Sequence, residues 1–597
     1  SASPTGIGAS ASRQAVNAGS SAHQAAVALG ALWCCRREVT GDLDEELVDV
    51  SGSGSETPHE GAPLGQNLAE IGYPYRHFPF VDLMRSADPF RSGTADEWND
   101  QRALELRPDG YPARLAPGQL ARTFLIGGDH PHMSGEVTIF YEGSGRIDYR
   151  GGVEGVERAP GRDVVTLRDR DGLWIEILET DPADPLRHIR VIAPGGRCEA
   201  NGDLCDGECS CASFAETYEE QPFHPTFLAE HRPFDVLRFM NWMRVNRVRG
   251  GEEARPRWPI RTWDEYPGVD HAQWYPVPID VMIDLANATA SAPWFTVPHL
   301  ADDAFVRRLA ERIRERLDPS LKVYVEYTNE AWNDLFLQSQ EVAAEGCRTR
   351  SPNPAAECDD DGDGTLCEYG DWNETQERCF AYGREYFAQR TAQIGAVFDE
   401  VFGDDPRVVT VLGMQVGSLR DWGPRMLGLA WKEGETVAER IDAVAVAPYF
   451  GGGEPPADFD AVFARAPLPG GDETYAVLVG EPPDGGPLQW IVRDLHALRA
   501  IDPELELVAY EGGQHFLALG DEGKVPMLME ANRDPRMGEL YDEYLRRWST
   551  LTDGALFVHY GSPSLWSQWG TWGSKEYQGQ PVTEAPKHQA LLRYLAH

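Results

Sequence analysis

The sequence predicts an α/β protein, a (β/α)8 barrel with a small all-β, sandwich-like module inserted after its first strand. Three observations carry the prediction. Eight short apolar segments recur along the chain, and from about residue 222 onward amphipathic helical stretches separate them. Residues 111–196 break that rhythm with short alternating strands and no helical pattern. The strand ends collect Arg, Asn, His, Tyr and Glu, and a barrel brings such ends together at one open mouth.

Residues 1–63, rich in Ser, Gly, Ala and Glu, are expected to form a mobile leader. Within them "AVALGALW" has the character of a signal h-region, although no basic segment closely precedes it, and Cys34 and Cys35 follow. The first strand lies in "PLGQNLAEI" and ends near Ile71, followed by the aromatic "YPYRHFPFVDLMRSADPF". In 111–196, "RTFLIGG", "GEVTIFYEG", "GRIDYRGG", "DVVTLRD", "LWIEILET" and "HIRVIAPG" read as strands between Gly, Asp and Pro turns, a sandwich pattern.

The remaining strands are expected at 235–242, 293–299, 322–330, 407–415, 441–450, 505–513 and 554–562. Helices such as "DDAFVRRLAERIRERL" and "QWIVRDLHALRAI" lie between them, and their charge runs read as solvated faces. The barrel therefore occupies 64–110 and 197–597. A doubly wound open sheet is the alternative, but no GxGxxG turn follows any strand.

The chain has 597 residues, 42% of them hydrophobic, and a formal charge of −42 from 54 basic and 96 acidic residues. Such a surplus repels nucleic acid and anionic membranes but says nothing against neutral sugars. No run of about 18 apolar residues occurs, so no membrane-spanning helix is expected. Eight of the ten cysteines fall in two groups, Cys198, Cys205, Cys209 and Cys211, then Cys347, Cys358, Cys367 and Cys379. Two even-numbered groups in Gly- and Asp-rich loops read as local disulfides, hence a secreted or cell-surface protein. Each group allows three pairings. Zinc is the rival reading, but neither group has finger spacing or a histidine.

The strand ends supply Arg238 and Trp242 after the second strand and His299 after the third. Asn329 and Glu330 follow the fourth, Tyr449 the sixth and Glu511 the seventh, with Trp566 and Trp569 beyond the eighth. The fourth and seventh strands of a barrel face each other, so Glu330 and Glu511 are expected across one hollow. Two facing carboxyls suit glycoside hydrolysis, one protonating the leaving oxygen and the other attacking the anomeric carbon. A separation of roughly 5–5.5 Å means retention and roughly 6.5–9.5 Å inversion. The indoles near the mouth, Trp332 among them, offer flat faces to sugar C–H groups.

On "VYVEYTNEAWN", "VLRFMNW", "PWFTVPHLADD" and the Glu511 position, the chain resembles the clan A retaining glycoside hydrolases, the 4/7 superfamily, and within it secreted bacterial cellulase-like proteins. The resemblance covers the barrel and implies Glu330 as acid/base and Glu511 as nucleophile. It implies Asn329 on the sugar 2-hydroxyl, and Arg238 and Tyr449 holding Glu511 ionised. His299 would contact substrate or the acid/base, and Trp569 would form a sugar platform. Ala447 stands where related enzymes often carry a histidine.

"DDDGDGTLCE" has the DxDxDG spacing of a calcium loop, with Asp359, Asp361 and Asp363 as side-chain ligands and Thr365 as a carbonyl ligand. The twelfth position is Gly370, so a full EF-hand is ruled out; structural calcium is weighed against a plain acidic loop. No cofactor is expected for catalysis. The expected function is cleavage of a β-linked polysaccharide by double displacement, with cellulose-like glucan first and mannan or xylan next. A transglycosylase, or a non-catalytic carbohydrate-binding or cell-surface protein on a barrel, is the alternative.

Overall fold

Eight parallel strands close into a barrel in simple sequence order: β1 (Leu64–Asn67), β2 (Val236–Arg238), β3 (Ala292–Val297), β4 (Val323–Tyr327), β5 (Val408–Gly413), β6 (Ala443–Val446), β7 (Glu506–Ala509) and β8 (Phe557–Tyr560). The last pairs with the first, Leu64 opposite Phe557. This computed structural model describes residues 61–597 apart from 73–75, 128–132, 169–170, 199–210, 248–259, 360, 369–372, 404, 453–454, 469–471, 481–484, 519–520 and 569.

Every residue of β3 and β4 is buried, because helices cover the outer face of a parallel barrel and side chains fill the inner one. Inside, Val236, Trp294, Tyr324, Val411, Ala445, Val508, Tyr510 and Val558 form one packed plug. Outside, the helices bring their own stripes. In Asp303–Arg316 the apolar Phe305, Val306, Leu309, Ala310 and Ile313 recur at helical spacing and are buried. Asp302 caps that helix by accepting from the Phe305 amide at 2.7 Å, and Arg314 and Arg316 sit at its negative end.

The strands are shorter than the apolar runs that announce them. β4 ends at Tyr327, and Thr328 and Glu330 adopt left-handed backbone, φ 47° and 44°. β2 gives way to a single helical turn, Met240–Met243, which carries Trp242 inward. Arg238 closes β2, while Asn329, Glu330, Tyr449 and Glu511 stand two or three residues beyond their strands, in the turns of the mouth.

Between β1 and β2 the chain builds two four-stranded antiparallel sheets. One runs Arg91–Gly93, Leu120–Ile126, Leu173–Thr180, Gly145–Gly151 in spatial order; the other runs Arg187–Ile192, Gly135–Glu142, Arg162–Leu167, Val153–Ala159. They share an apolar core, including Ala121, Leu125, Ile139, Val165, Ile175 and Val191, distinct from the barrel's. The first sheet takes in Arg91–Gly93, upstream of residue 111. Among the described residues no helix is long and apolar enough to cross a membrane.

Gly65 faces Val236 and Val558 on its two neighbouring strands, and an added Cβ would lie 2.9 Å from a side-chain carbon of each. Both neighbours are backbone-fixed and buried, so neither can yield. Gly65→Ala is expected to cost about 1–3 kcal/mol of stability. Urea denaturation would read this as a lower midpoint at unchanged slope.

Candidate active site

Arg238, wholly buried at the end of β2, organises the mouth. All five of its N–H groups have acceptors. Nε and Nη2 grip Glu326 of β4 at 2.8–3.0 Å, and Nη2 also reaches Asn329 Oδ1 at 2.8 Å. Nη1 donates to Glu511 Oε2 at 3.0 Å and to Asn67 Oδ1, at the end of β1, at 3.1 Å. Its guanidinium lies over the rings of Tyr510, 4.8 Å to the centroid, and Trp294, 5.6 Å.

Glu511 receives a second donor, the Tyr449 hydroxyl on Oε1 at 3.1 Å. Glu330 has different company. Tyr510 donates to its Oε1 at 2.6 Å and Asn333 Nδ2 to its Oε2 at 2.8 Å, so both direct partners are neutral. The two glutamates line one cleft of about 640 Å³ with Asn329, Tyr449, Trp332, Phe336, Trp490 and His515.

Burial is the largest influence on both carboxyls and pushes each above the ordinary carboxylate range. At Glu511 the Arg238 charge opposes it most strongly, while the Glu330 charge adds to it. At Glu330 the opposition comes first from the Tyr510 and Asn333 hydrogen bonds. A carboxyl raised by a neighbouring carboxyl can share one proton with it over a wide pH span. The direct guanidinium contact favours the charged form of Glu511, against the burial that pushes its carboxyl up to about 8, whereas Glu330 has only neutral direct partners. Such a pair supplies an acid and a nucleophile or base at the same pH.

Of the residues expected at this site, Glu330, Glu511, Asn329, Arg238, Tyr449 and Trp332 come together. Three do not. Trp242 is fully buried among Phe80, Phe227 and Phe239, with Nε1 bonded to the Ala69 carbonyl, so it has no face for a sugar. His299 is buried, its Nε2 paired with Glu341, and it does not line the cleft. Trp566 is buried against Gly573 and the cations of Arg533 and Lys587, likewise off the cleft. Trp569 lies outside the described residues. Ala447 does line the cleft.

Sequence reasoning missed Glu326, Tyr510, Asn333, Asn246 and Trp490. Glu326 was visible as the one charge inside "VYVEY", two residues from the inward Tyr324, and period-two alternation would have placed it in the barrel. Trp490 had no such signal, because it reaches the cleft from the helix Pro487–Ile501.

The acidic loop stands apart from the cleft-lining residues. Disulfides Cys347–Cys358 and Cys367–Cys379 bracket it, with Cα–Cα distances of 6.6 and 5.6 Å. One carboxylate oxygen each from Asp359, Asp361 and Asp363 lie within 4.8 Å of one another, while these side chains also accept loop amides, Thr365 N on Asp363 at 2.7 Å among them. Cys198 and Cys211 stand opposite each other on paired strands, while Cys34, Cys35, Cys205 and Cys209 lie outside the described residues.

No protein-family model matches the chain, and no curated protein matches it in sequence. Solved structures similar to it include a fungal β-1,4-galactanase, at 14% identity over 62% of this chain and 91% of that one, TM-score 0.31. A GH5 family lichenase from Caldicellulosiruptor sp. F32 matches at 9% identity over 62% and 83%, TM-score 0.32. A family 1 β-glucosidase from Thermotoga maritima matches at 12% over 66% and 89%, TM-score 0.30.

Removing Arg238 would strand two buried carboxyls. Arg238→Met is expected to destabilise the fold by about 3–5 kcal/mol, and adding Glu326→Gln to recover part of that loss. Chemical denaturation of the two variants checks it; equal midpoints for wild type and Arg238→Met would refute it.

Proposed function

We propose that the protein is a retaining glycoside hydrolase that cleaves β-linked polysaccharide, cellulose-like glucan first and mannan or xylan next. One observation carries the reading: two glutamates lining one cleft, Glu511 buried and Glu330 half-buried, have unlike partners, a guanidinium for Glu511 and neutral donors for Glu330. Glu511 attacks the anomeric carbon while the Glu330 proton passes to the departing glycosidic oxygen. In the second half Glu330 takes a proton from water, whose oxygen displaces Glu511 from the sugar.

Asn329 supports the same reading. Arg238 holds its Oδ1 and Asn246 takes one N–H at 3.0 Å, leaving the second N–H for a sugar hydroxyl. Trp332, Phe336 and Trp490 give the cleft apolar faces suited to the C–H sides of pyranose rings, and the ring of Trp422 lies 6.5 Å from that of Trp332. The two disulfides favour an oxidising, extracytoplasmic location. The Asp359, Asp361 and Asp363 carboxylates, with the Thr365 carbonyl, are proposed to hold structural calcium.

A panel of polysaccharides read by reducing-end release, with NMR of the first anomer formed, tests the reaction and its stereochemistry together. Glu330→Gln is expected to slow cleavage about 10²- to 10⁴-fold and Glu511→Gln at least as much. kcat/KM should fall at low pH as Glu511 is protonated and at high pH as Glu330 loses its proton. Binding without cleavage in the wild type would assign the barrel to carbohydrate binding instead.

For the acidic loop, chelation should lower the thermal midpoint and added calcium restore it, by mass action on the folded state. A midpoint indifferent to both leaves a plain acidic loop.

A further inference from the structure

We propose that Tyr510 is the positioning residue of the acid/base, its hydroxyl holding Glu330 in the ionised state needed for the second half of the reaction. The inference rests on the glycosidase reading above. Tyr510 lies between β7 and Glu511, is 1% exposed, and reaches across the mouth to Glu330 Oε1 at 2.6 Å. Its placement is fixed from two sides. Asn67 Nδ2 donates to its carbonyl at 2.9 Å, and the Arg238 guanidinium lies over its ring. One side chain thus touches both the nucleophile's cation and the acid/base.

The other donor to Glu330 cannot change role. Asn333 Oδ1 accepts from the Leu335 amide at 3.2 Å, which fixes the side chain with Nδ2 toward Glu330. A hydroxyl both donates and accepts, so Tyr510 alone of the two can follow Glu330 through its proton changes. It favours the carboxylate, because a hydrogen bond to an ionised acceptor is about twice as strong as a neutral one. The charges facing Glu330 from other elements are Arg238 from β2, which favours ionisation, and Glu326 from β4, which opposes it. Glu511 and Tyr449 adjoin from beyond β7 and β6, and His515 lines the same cleft.

In the first half the Glu330 proton leaves with the glycosidic oxygen as the Glu511–carbon bond forms. In the second half a water proton moves to Glu330 as the water oxygen–carbon bond forms and the Glu511–carbon bond breaks. Only the second half begins with Glu330 ionised.

The test is Tyr510→Phe in the full chain, which keeps the ring and removes the donor, assayed on a dinitrophenyl β-glycoside whose departure needs no acid. First-turnover release should stay close to wild type while steady-state kcat falls about 10- to 100-fold, the size of one charge-assisted hydrogen bond. The alkaline limb of kcat/KM on a poor leaving group should move to higher pH. Replacing Tyr510 by 3-fluorotyrosine, a stronger donor of the same shape, should move that limb to lower pH and covers the case in which Tyr510→Phe fails to fold. Equal losses in both phases, or limbs unmoved in both variants while the wild type is active, overturn the role of Tyr510 alone. A wild type that cleaves no glycoside overturns the glycosidase reading and this inference with it.

Discussion

A single buried guanidinium joins four of the eight staves of this barrel. Arg238 on β2 bonds Asn67 at the end of β1, Glu326 and Asn329 at and beyond β4, and Glu511 beyond β7. A charge at zero exposure survives only if every donor is matched, since an unpaired buried ion is expensive. Matching five donors in fixed planar directions pins the acceptors as firmly as the cation. The spacing of the mouth residues is therefore set by the demand for satisfied hydrogen bonds, and the aromatic plates of Trp294 and Tyr510 supply the walls.

The same demand accounts for the backbone after β4. Thr328 is β-branched and Glu330 is bulky, yet both sit in left-handed geometry, which costs on the order of 1–3 kcal/mol per residue. The turn is held from several directions at once. Thr328 N donates to Val297 O at 2.8 Å, Gln338 Nε2 to Asn329 O at 3.1 Å, and Asn333 N to Glu330 O at 2.9 Å. Relaxing it would withdraw Asn329 from Arg238 and turn Glu330 out of the cleft. Strain persists here because the surrounding bonds over-determine the turn, and the side chains it aims are the ones the proposed reaction would use.

The barrel was legible because its signal is repeated eight times: apolar runs of strand length with helical stripes between most of them, each enforced by burial on two faces. Glu330, Glu511, Asn329, Arg238 and Tyr449 were legible because strand ends point at one mouth. The aromatic residues were the weak part. Trp242 and Trp566 had the right neighbourhood in sequence, but the turn Met240–Met243 and the loop before Gly573 rotate them into the packed interior. A large indole gains most by full burial, and adjacency in sequence to a strand end does not say which way it will turn. His299 failed for a related reason, since Glu341 of the helix Leu337–Arg350 offers it an acid partner. Glu326 and Tyr510, by contrast, obeyed the alternation of their strands and needed only to be counted.

Glu326 also resolves a difficulty that the cation creates. In the proposed reaction a guanidinium devoted wholly to Glu511 would blunt its attack on carbon, because a nucleophile gains nothing from stabilisation that it loses in the transition state. Three hydrogen bonds from Arg238 go to Glu326 and one to Glu511. Glu326 is itself held by Trp294 Nε1 at 2.8 Å and has nowhere else to place its charge. The cation is thus shared, with most of its hydrogen bonding spent on a carboxylate outside the reaction. The Arg238 contact opposes the burial that raises Glu511, while the charge of Glu326 raises both cleft carboxyls. The division of labour proposed for the two cleft glutamates would depend as much on this third carboxylate, which is not among the cleft-lining residues, as on the two that are.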